Sequence, residues 1–569
     1  MNTASFKTRI RFMSGFVLFF AFILIAKLFY VQIIHKDDYL EKADKQYSTP
    51  SGNILNRGSI FFTKKDGSLV AAGAMMSGFK VAIKTKDVKD PDALYTALSP
   101  YTKLERDTFI QKATKKNDPY EEVATHLTKE QADEIKNMKL PGVFNYKEKW
   151  RFYPGGSLAS QTLGFISYKG DELTGQYGLE RFYNTTLSKP KDQAYLNFFA
   201  EVFSNIKSTV TGTETGDIVT TIEPTVQQTL EDEMKKTVEK WNADAAGAII
   251  MNPQTGEIYA MMGYPDFDLN EFGKVSDSKV YRNPLVENVL EFGSVMKPLV
   301  VAAAIDKGVI TPETTYTDTG SLIIEKRQIF NFDKKARGKN TTMQRVLDES
   351  LNTGMIFVER QMGHDSFRSY MKSYGIGEKT GIDLPNETSG LIKNLESPRD
   401  IEYATASFGQ GIALTPIEAV RSFAVLANGG NLVVPHLVKQ IRYENGLSKN
   451  IEYEPTRTGI LKKESTDTIT RMLVHVFESY GGGTYKQARY SIATKTGTAQ
   501  VANPTEGGYY KDKHTHSFFG YFPAYDPKFV VFMFINNPKQ VNYASQTLIP
   551  SFVNTAKFLL NYYDVPPDR

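Results

Sequence analysis

The longest apolar stretch of the chain lies near its N-terminus. Residues 12–34 are almost entirely apolar, and Lys7, Arg9 and Arg11 precede them. As a helix this stretch would span about 34 Å, which is longer than the apolar part of a cleaved signal peptide. We therefore predict a cytoplasmic tail at 1–11 and one membrane anchor at 12–34. The basic residues keep the tail inside, so a single-pass cell-membrane protein is expected, with everything after residue 35 outside.

Two features of this stretch have alternative interpretations. A long signal peptide is the alternative to an anchor, but the residues that follow, His-Lys-Asp-Asp at 35–38, are not a small-residue cleavage site. Lys27 lies about 10 Å of helix rise from the outer end. Its amine can snorkel to the outer headgroups. It can also contact a partner's membrane helix, because charges inside a membrane usually face protein or water.

The pattern downstream of the anchor changes twice. Residues 48–80 read as short strands separated by Gly, Asp and Ser turns, and 86–140 contain short amphipathic helices. Residues 225–241 have the apolar spacing of a longer helix. After 243, two apolar runs flank Asn-Pro-Gln-Thr-Gly at 252–256, which predicts a β-hairpin. A buried strand at 528–536 and a closing helix at 546–563 complete an α+β pattern of a sheet covered by helices, with a domain boundary near 240.

Composition excludes several classes of site. The chain has 68 Lys and Arg against 64 Asp and Glu, for a net charge of +4, which gives no reason to expect a nucleic-acid partner. It contains no cysteine. Disulfides, thiolate metal sites and cysteine nucleophiles are therefore excluded.

Ser294 and Lys297 lie three positions apart, so a helix would carry both on one face and bring the lysine within reach of the serine hydroxyl. Pro298 fits only near a helix start, where free N–H groups collect. A serine hydroxyl becomes a nucleophile only when a base takes its proton, and a lysine becomes a base only when burial or a second cation lowers its pKa. Alone, this pair is more often structural than chemical.

Two further motifs lie downstream. Ser350 and Asn352 flank Leu351, so a hydroxyl and an amide project from a turn or helix end, although this pattern is also a common helix cap. Residues 495–498, Lys-Thr-Gly-Thr, lie in β-type sequence. There Lys495 would supply the second cation, and Gly497 would allow a substrate backbone to approach closely.

The three motifs in this order match the set Ser-x-x-Lys, Ser-x-Asn, Lys-Thr-Gly of the penicillin-recognising acyl-transfer enzymes. The chain resembles the class B penicillin-binding proteins, which are peptidoglycan D,D-transpeptidases. "RGSIF" at 57–61, "RFYPGGSLASQTLGF", "GLERFYN" and "ASFGQGIALTPIE" carry the likeness over nearly the whole chain. The chain departs from the family's sequence pattern at residues 61–65, Phe-Phe-Thr-Lys-Lys, which precede Asp66 and Gly67. Nothing resembles a glycosyltransferase domain.

The resemblance implies an elongated, mostly-β pedestal, dimerisation-like, at 35–240 and a transpeptidase domain with an antiparallel sheet covered by helices at 241–569. It implies catalytic roles for Ser294 as the acylated nucleophile, Lys297 as its base, Ser350 as a proton relay, and Asn352 as the residue that holds the donor amide. Lys495 and Thr498 would bind the terminal carboxylate, with Thr496 and Gly497 beside them.

By the same resemblance, the backbone N–H groups of Ser294 and Thr498 would form the oxyanion hole. No metal and no cofactor is expected.

The implied substrates are peptidoglycan stem peptides on lipid-linked nascent glycan, and β-lactams are the implied inhibitors. "LEFGSVMKP" and "LPNETSGLI" favour the cell-division type over the elongation type. The implied partner is a multi-spanning glycosyltransferase of the shape, elongation, division and sporulation family, docked on the anchor and pedestal.

Other functions explain less of the sequence. A β-lactamase shares the motifs but rarely carries an anchor and a long pedestal, a β-lactam sensor needs several membrane helices, and a non-catalytic cell-wall scaffold usually loses a motif. His514 and His516 could point to a metal, but no third ligand is evident. Glycines 481–483 lack the Gly-Lys-Ser/Thr of a phosphate loop and predict a flexible loop near the site.

Overall fold

The computed structural model describes residues 15, 16, 18–24, 27, 56–116, 120–170, 172–188, 215–503, 505 and 507–569. The predicted tail at 1–11 and much of the predicted anchor at 12–34 lie outside these residues. Within the described part of the chain, no helix has both the length and the hydropathy of a membrane span.

The described chain alternates strands and helices. The strands are β1 (Ile60–Thr63), β2 (Leu69–Ile83), β3 (Glu121–Leu127), β4 (Val143–Phe152), β5 (Ile166–Lys169), β6 (Glu172–Gly175), β7 (Gly216–Thr220), β8 (Ala245–Met251), β9 (Ile258–Tyr264), β10 (Thr315–Asp318), β11 (Ser321–Ile324), β12 (Arg327–Phe330), β13 (Gly338–Thr342), β14 (Val438–Tyr443), β15 (Ser448–Asn450), β16 (Ala493–Ala502), β17 (Tyr509–Phe522) and β18 (Phe529–Asn536). The α-helices are α1 (Pro91–Leu98), α2 (Arg106–Ala113), α3 (Lys129–Asn137), α4 (Ser160–Leu163), α5 (Gly178–Phe182), α6 (Asn184–Leu187), α7 (Pro224–Trp241), α8 (Pro284–Glu287), α9 (Lys297–Asp306), α10 (Met343–Asp348), α11 (Asn352–Met362), α12 (His364–Ser373), α13 (Asp400–Ala406), α14 (Pro416–Ala427), α15 (Lys463–Ser479) and α16 (Ala544–Tyr562). The 3₁₀ turns Gly293–Met296 and Tyr480–Gly483 bear on the site.

The chain divides into two compact units, one containing residues 76–150 and the other 56–75 and 151–569. The smaller unit is mixed α/β, where the sequence predicted a mostly-β pedestal. The end of β2 pairs with β3, and α1, α2 and α3 supply the remaining regular structure together with β4. Its core gathers Val81, Leu98, Phe109, Val123 and Ile135. The amphipathic helices predicted at 86–140 are confirmed.

Two helix starts in this smaller unit, those of α1 and α3, follow from local capping. Asp90 accepts hydrogen bonds from the N–H groups of Asp92 and Ala93, and Pro91 occupies the first turn of α1. Thr128 and Gln131 form a reciprocal capping box at the start of α3. These short helices therefore begin where side chains satisfy their free N–H groups.

A five-stranded antiparallel sheet organises the larger unit, in the order β16-β17-β18-β8-β9. Strand β18 is apolar at nearly every position because both faces of the sheet are covered. Its residues 531, 533 and 535 belong to a core shared with α7 and α16, and its residues 530, 532 and 534 to a core shared with α9 and α14. The predicted hairpin, buried strand and closing helix are confirmed.

A second sheet runs β15-β14-β7-β1-β2 within this unit. Strand β1 pairs in parallel with β7 and antiparallel with β2, and β7 pairs antiparallel with β14. The boundary predicted near 240 falls at the end of α7, inside the larger unit, and stays a prediction.

Three of the segments that carry the family resemblance meet around one buried carboxylate. Glu180 of "GLERFYN" accepts hydrogen bonds from Arg57 Nε at 2.6 Å and from Arg151 Nε at 2.7 Å. Arg151 also donates to Gly58 O at 2.7 Å. Side chains of both arginines and of Glu180 are nearly or fully buried, so removal of Glu180 would leave two uncompensated buried charges.

Candidate active site

The serine of the first motif lies on a 3₁₀ turn that leads directly into α9. Ser294 is partly exposed, whereas Val295 and Met296 on the same turn are buried. Gly293 adopts φ +64°, and a Cβ there would lie 2.8 Å from Thr498 O. This close approach holds the serine turn against the third motif, and Ser294 lies just before a helix start, as the sequence predicted.

Lys297 is the first residue of α9 and its side chain has no exposure. Its Nζ donates to Ser350 O at 2.6 Å and to Asn352 Oδ1 at 2.8 Å, and lies 3.2 Å from Ser350 Oγ. These hydrogen bonds all go to the second motif. The spacing in the sequence puts the amine within reach of the Ser294 hydroxyl, and that approach stays a prediction.

The second motif projects from the start of α11. Ser350 has φ +54°, and the helix begins two residues later at Asn352. Asn352 donates through Nδ2 to Phe330 O at 2.9 Å. Its amide is therefore oriented from both sides, because Oδ1 faces Lys297 and Nδ2 faces β12. The prediction of polar arms at a helix end is confirmed.

A buried aspartate outside the three motifs supports this turn. Asp318 accepts a hydrogen bond from Thr353 Oγ1 at 2.7 Å, from Gly320 N–H at 3.0 Å and from Arg337 N–H at 2.8 Å. Burial alone raises the pKa of Asp318, but these hydrogen bonds outweigh it and the net pKa is below its ordinary value. Because Thr353 follows Asn352 directly, Asp318 fixes the start of α11. The sequence offers one sign of this role: Asp318 ends a short strand and is followed by Thr319 and Gly320.

The third motif lies on β16, at the edge of the five-stranded sheet, as predicted for a strand. Lys495 is 1% exposed, and its Nζ donates to Ser350 Oγ at 3.2 Å and to Thr496 O at 3.1 Å. Thr498 Oγ1 accepts a hydrogen bond from Ala544 N–H at 3.2 Å. The two lysines and Ser350 therefore meet at one point between α9, α11 and β16.

Gly497 has a packing role that the sequence did not predict. A Cβ on this residue would collide with Phe292 O and Ser517 Oγ, so its free face is filled by protein. The glycine lets β16 pack against the serine turn. The close approach it permits is between two motifs of this chain, while its place beside a bound substrate remains a prediction.

The electrostatics of the two lysines suit general-base chemistry. Burial, and then the charge of Lys495, hold the pKa of Lys297 well below its ordinary value. Burial lowers the pKa of Lys495 to about 7, and nearby Asp348 opposes this shift. A lowered pKa leaves more of an amine in its neutral form, and the neutral form can take a proton from a serine hydroxyl.

The remaining candidates have structural surroundings. His516 on β17 is buried, with Nδ1 3.1 Å from Thr547 Oγ1, and desolvation lowers its pKa to about 4. Among the described residues, no group of three His, Asp or Glu side chains is placed to hold a metal ion. Residues 480–483 form a 3₁₀ turn, where the sequence predicted a loop.

Comparison with known proteins decides the family. The penicillin binding protein transpeptidase domain matches residues 246–555, and the penicillin-binding protein dimerisation domain matches 56–220. The chain belongs to the class B penicillin-binding proteins. The predicted family and its enzyme class, a serine-type transpeptidase, are thereby confirmed.

Relatives of this penicillin-binding protein span nearly its whole length. Stage V sporulation protein D of Bacillus subtilis is 28% identical over 95% of this chain and 83% of its own length. Peptidoglycan D,D-transpeptidase FtsI of Buchnera aphidicola is 26% identical over 97% of this chain and 94% of its own.

Solved structures share the fold. Penicillin binding protein 2X from Streptococcus thermophilus has a TM-score of 0.71 at 21% identity, covering 90% of this chain and 81% of that one. Penicillin binding protein 3 from Mycobacterium tuberculosis, complexed with aztreonam, has a TM-score of 0.69 at 22% identity, covering 91% and 98%.

Proposed function

We propose that this penicillin-binding protein cross-links peptidoglycan stem peptides by a two-step acyl transfer through Ser294. The observation that supports this most is the convergence of Lys297 and Lys495 on Ser350 Oγ, each at 3.2 Å, at the base of the serine turn. Three groups that can exchange protons meet there, and both lysines are buried enough to lower their pKa values.

In the first step, Ser294 Oγ attacks the carbonyl carbon of the penultimate D-Ala. Its proton passes to Lys297 and then, through Ser350, to the departing nitrogen as the C–N bond breaks and D-alanine leaves. The developing oxyanion is held by the N–H groups of Ser294 and Thr498, whose turn and strand are in contact through Gly293. Lys495 and Thr498 bind the terminal carboxylate, with Thr496 and Gly497 beside them.

In the second step, the amine of a neighbouring stem peptide attacks the Ser294 ester. The new amide bond forms, the amine loses a proton and Ser294 Oγ regains one. Asn352, whose amide is oriented by Lys297 and Phe330 O, holds the donor peptide during both steps. A β-lactam acylates the same serine but leaves no departing group, so the acyl-enzyme persists.

The direct test uses a peptide thioester donor and a D-amino acid as acceptor. The full chain in detergent should form the new amide, detected by mass spectrometry, and Ser294→Ala should form none. Hydrolysis of the donor without transfer, together with rapid turnover of penicillin, would favour a β-lactamase. Folded protein with no reaction toward donor or penicillin would favour a non-catalytic scaffold.

We further infer that the enzyme acts at the division septum. The FtsI relatives and the "LEFGSVMKP" segment support this role over elongation. The sporulation relative supports a second candidate, a wall made during sporulation. A fluorescent fusion that marks the septum in growing cells would support division. Signal confined to sporulating cells would support the second role, and signal along the cylinder would contradict both.

The anchor and the partner belong to the same proposal. Residues 12–34 hold the enzyme in the cell membrane with its catalytic domain outside, next to a multi-spanning glycosyltransferase that supplies nascent glycan strands. A phosphatase fused at the C-terminus should be active only outside the cell, so an inactive fusion would contradict this topology. Lys27→Leu should weaken co-purification with the glycosyltransferase if the amine faces that partner, and should leave it unchanged if the amine snorkels.

A further inference from the structure

The edge of β16 offers fewer free backbone groups than an edge strand normally does. Its inner side pairs with β17, from Ala493 with Tyr521 to Ala502 with Tyr509. Alternate residues of an antiparallel edge strand turn their N–H and C=O groups away from the sheet, where a peptide can pair with them. On β16 those residues include Thr496 and Thr498, because the Thr496 N–H group bonds outside the ladder.

Both outward backbone groups of Thr496 are already occupied. Its N–H donates to Tyr480 Oη at 3.1 Å, and its C=O accepts from Lys495 Nζ at 3.1 Å. Tyr480 Oη also lies 3.5 Å from Thr496 Oγ1. A peptide that pairs with the outer edge of β16 can therefore use Thr498, but it meets protein at Thr496.

The side chain of Tyr480 is held in place by its position after α15 and by a buried aromatic neighbour. Tyr480 follows α15 directly and begins the turn that contains glycines 481–483. Its ring packs edge-on against Phe477, with centroids 6.2 Å apart, and Phe477 is fully buried. Burial raises the pKa of Tyr480 to about 12, so the hydroxyl keeps its proton at neutral pH.

We propose that Tyr480 is a specificity-determining residue that ends the donor site after one residue beyond the scissile bond. The inference rests on the proposed function. A donor lying antiparallel to β16, with its penultimate D-Ala beside Thr498, places its terminal residue beside Gly497, one position along the strand. A further residue would lie beside Thr496, where Tyr480 covers the strand edge. Tyr480 is therefore the residue that excludes peptides extended by one residue beyond the terminal D-Ala.

The test compares two thioester donors. In the first, the nitrogen of the terminal D-Ala is replaced by sulfur, and in the second the carboxylate of that residue is extended by glycine. Attack by Ser294 forms the serine ester, breaks the C–S bond and releases a thiol that carries the serine proton. Because the chain contains no cysteine, a disulfide reagent measures this thiol without background from the protein.

The full chain in detergent should use the extended donor at less than a hundredth of the kcat/KM of the ordinary donor. Tyr480→Leu keeps an apolar contact with Phe477 but cannot reach Thr496 N–H. It should raise the ratio of extended to ordinary kcat/KM at least tenfold, mainly through KM for the extended donor. Tyr480→Phe retains the ring that covers the edge and should keep the native ratio within twofold.

Tyr490→Leu is the matched control, because Tyr490 is also partly buried and its hydroxyl donates to a backbone oxygen, Val565 O, at 2.8 Å. It should leave the ratio unchanged. A native enzyme that uses both donors equally would overturn the inference without any variant. So would a Tyr480→Leu protein that labels with fluorescent penicillin but keeps the native ratio. Failure of the proposed function is distinct, since the native chain would then use neither donor.

Discussion

The coupling between the two lysines gives the most quantitative prediction. Lys297 Nζ and Lys495 Nζ each lie 3.2 Å from Ser350 Oγ. They are therefore at most about 6.4 Å apart, and at an effective dielectric constant of about 20 two unit charges at that distance repel by about 2.6 kcal/mol. Removing the charge of Lys495 removes this repulsion from protonated Lys297, so the pKa of Lys297 should rise.

The perturbation is Lys495→Met, which removes the charge. The rate constant for acylation by a fluorescent penicillin, measured at saturating label from pH 5 to 10, should rise with pH as Lys297 loses its proton. In Lys495→Met the acid limb should move to higher pH, because Lys297 now holds its proton more tightly. Saturating label separates this effect from weaker carboxylate binding.

Lys495→Arg is the control, because it keeps a positive charge that does not titrate in this range. Its acid limb should stay at or below that of the native enzyme. If the Met profile superimposed on the native one, or if Arg moved the limb upward as far as Met, the charge of Lys495 would not set the pKa of Lys297.

Three further predictions follow from the surroundings of the site. Gly497→Ala should lower stability by about 1 to 3 kcal/mol and slow acylation at least tenfold, because the new Cβ would push the serine turn away from β16. Gly273→Ala is the control, because a Cβ at Gly273 would meet no other atom within 4 Å, and it should change neither quantity. Thermal melts and penicillin labelling measure the two effects. Asp318→Asn should slow acylation by penicillin and cost about 1 to 3 kcal/mol of stability, because it replaces a carboxylate oxygen that accepts from the N–H groups of Gly320 and Arg337 with an amide N–H₂ group. An acylation rate equal to that of the native enzyme would show that Asp318 does not support the start of α11. Lys297→Met should abolish acylation. As pH rises toward the ordinary lysine pKa of about 10.4, the unfolding free energy of the native domain should increase relative to that of this variant, by at most about 1.4 kcal/mol per pH unit, because the unfolded lysine keeps a proton that the folded one releases at lower pH. A difference in unfolding free energy that does not change with pH would contradict the lowered pKa.

The motifs and their local geometry could be predicted from the sequence because they depend on neighbouring residues. Pro298 marks a helix start, and the residues around 495–498 alternate as a strand does, so Ser294 and Lys495 lie where the sequence placed them. The apolar run at 528–536 likewise identified a strand covered on both faces. The short helices of the smaller unit were visible in the same way, although the sheet-rich pedestal implied by the resemblance led to an expectation of too little helix.

Other features could not be predicted because they depend on which elements meet. The spacing of Ser294 and Lys297 allows contact, but the bonds of the amine are decided by Ser350 and Asn352 on a different helix. Gly497 is small because Phe292 O lies against it, which no pattern within 495–498 reveals. Asp318 and Thr353 are 35 residues apart, and their hydrogen bond exists only because β10 packs beside α11.

The central claim is that Ser294 is the nucleophile of a cleft formed by all three motifs. Its most direct test is to treat the full chain with a fluorescent penicillin, digest it and locate the adduct by mass spectrometry, beside Ser294→Ala. We predict one long-lived adduct, on the peptide that contains Ser294, and no labelling of the variant. An adduct on another residue, or labelling that persists in Ser294→Ala, would contradict the account.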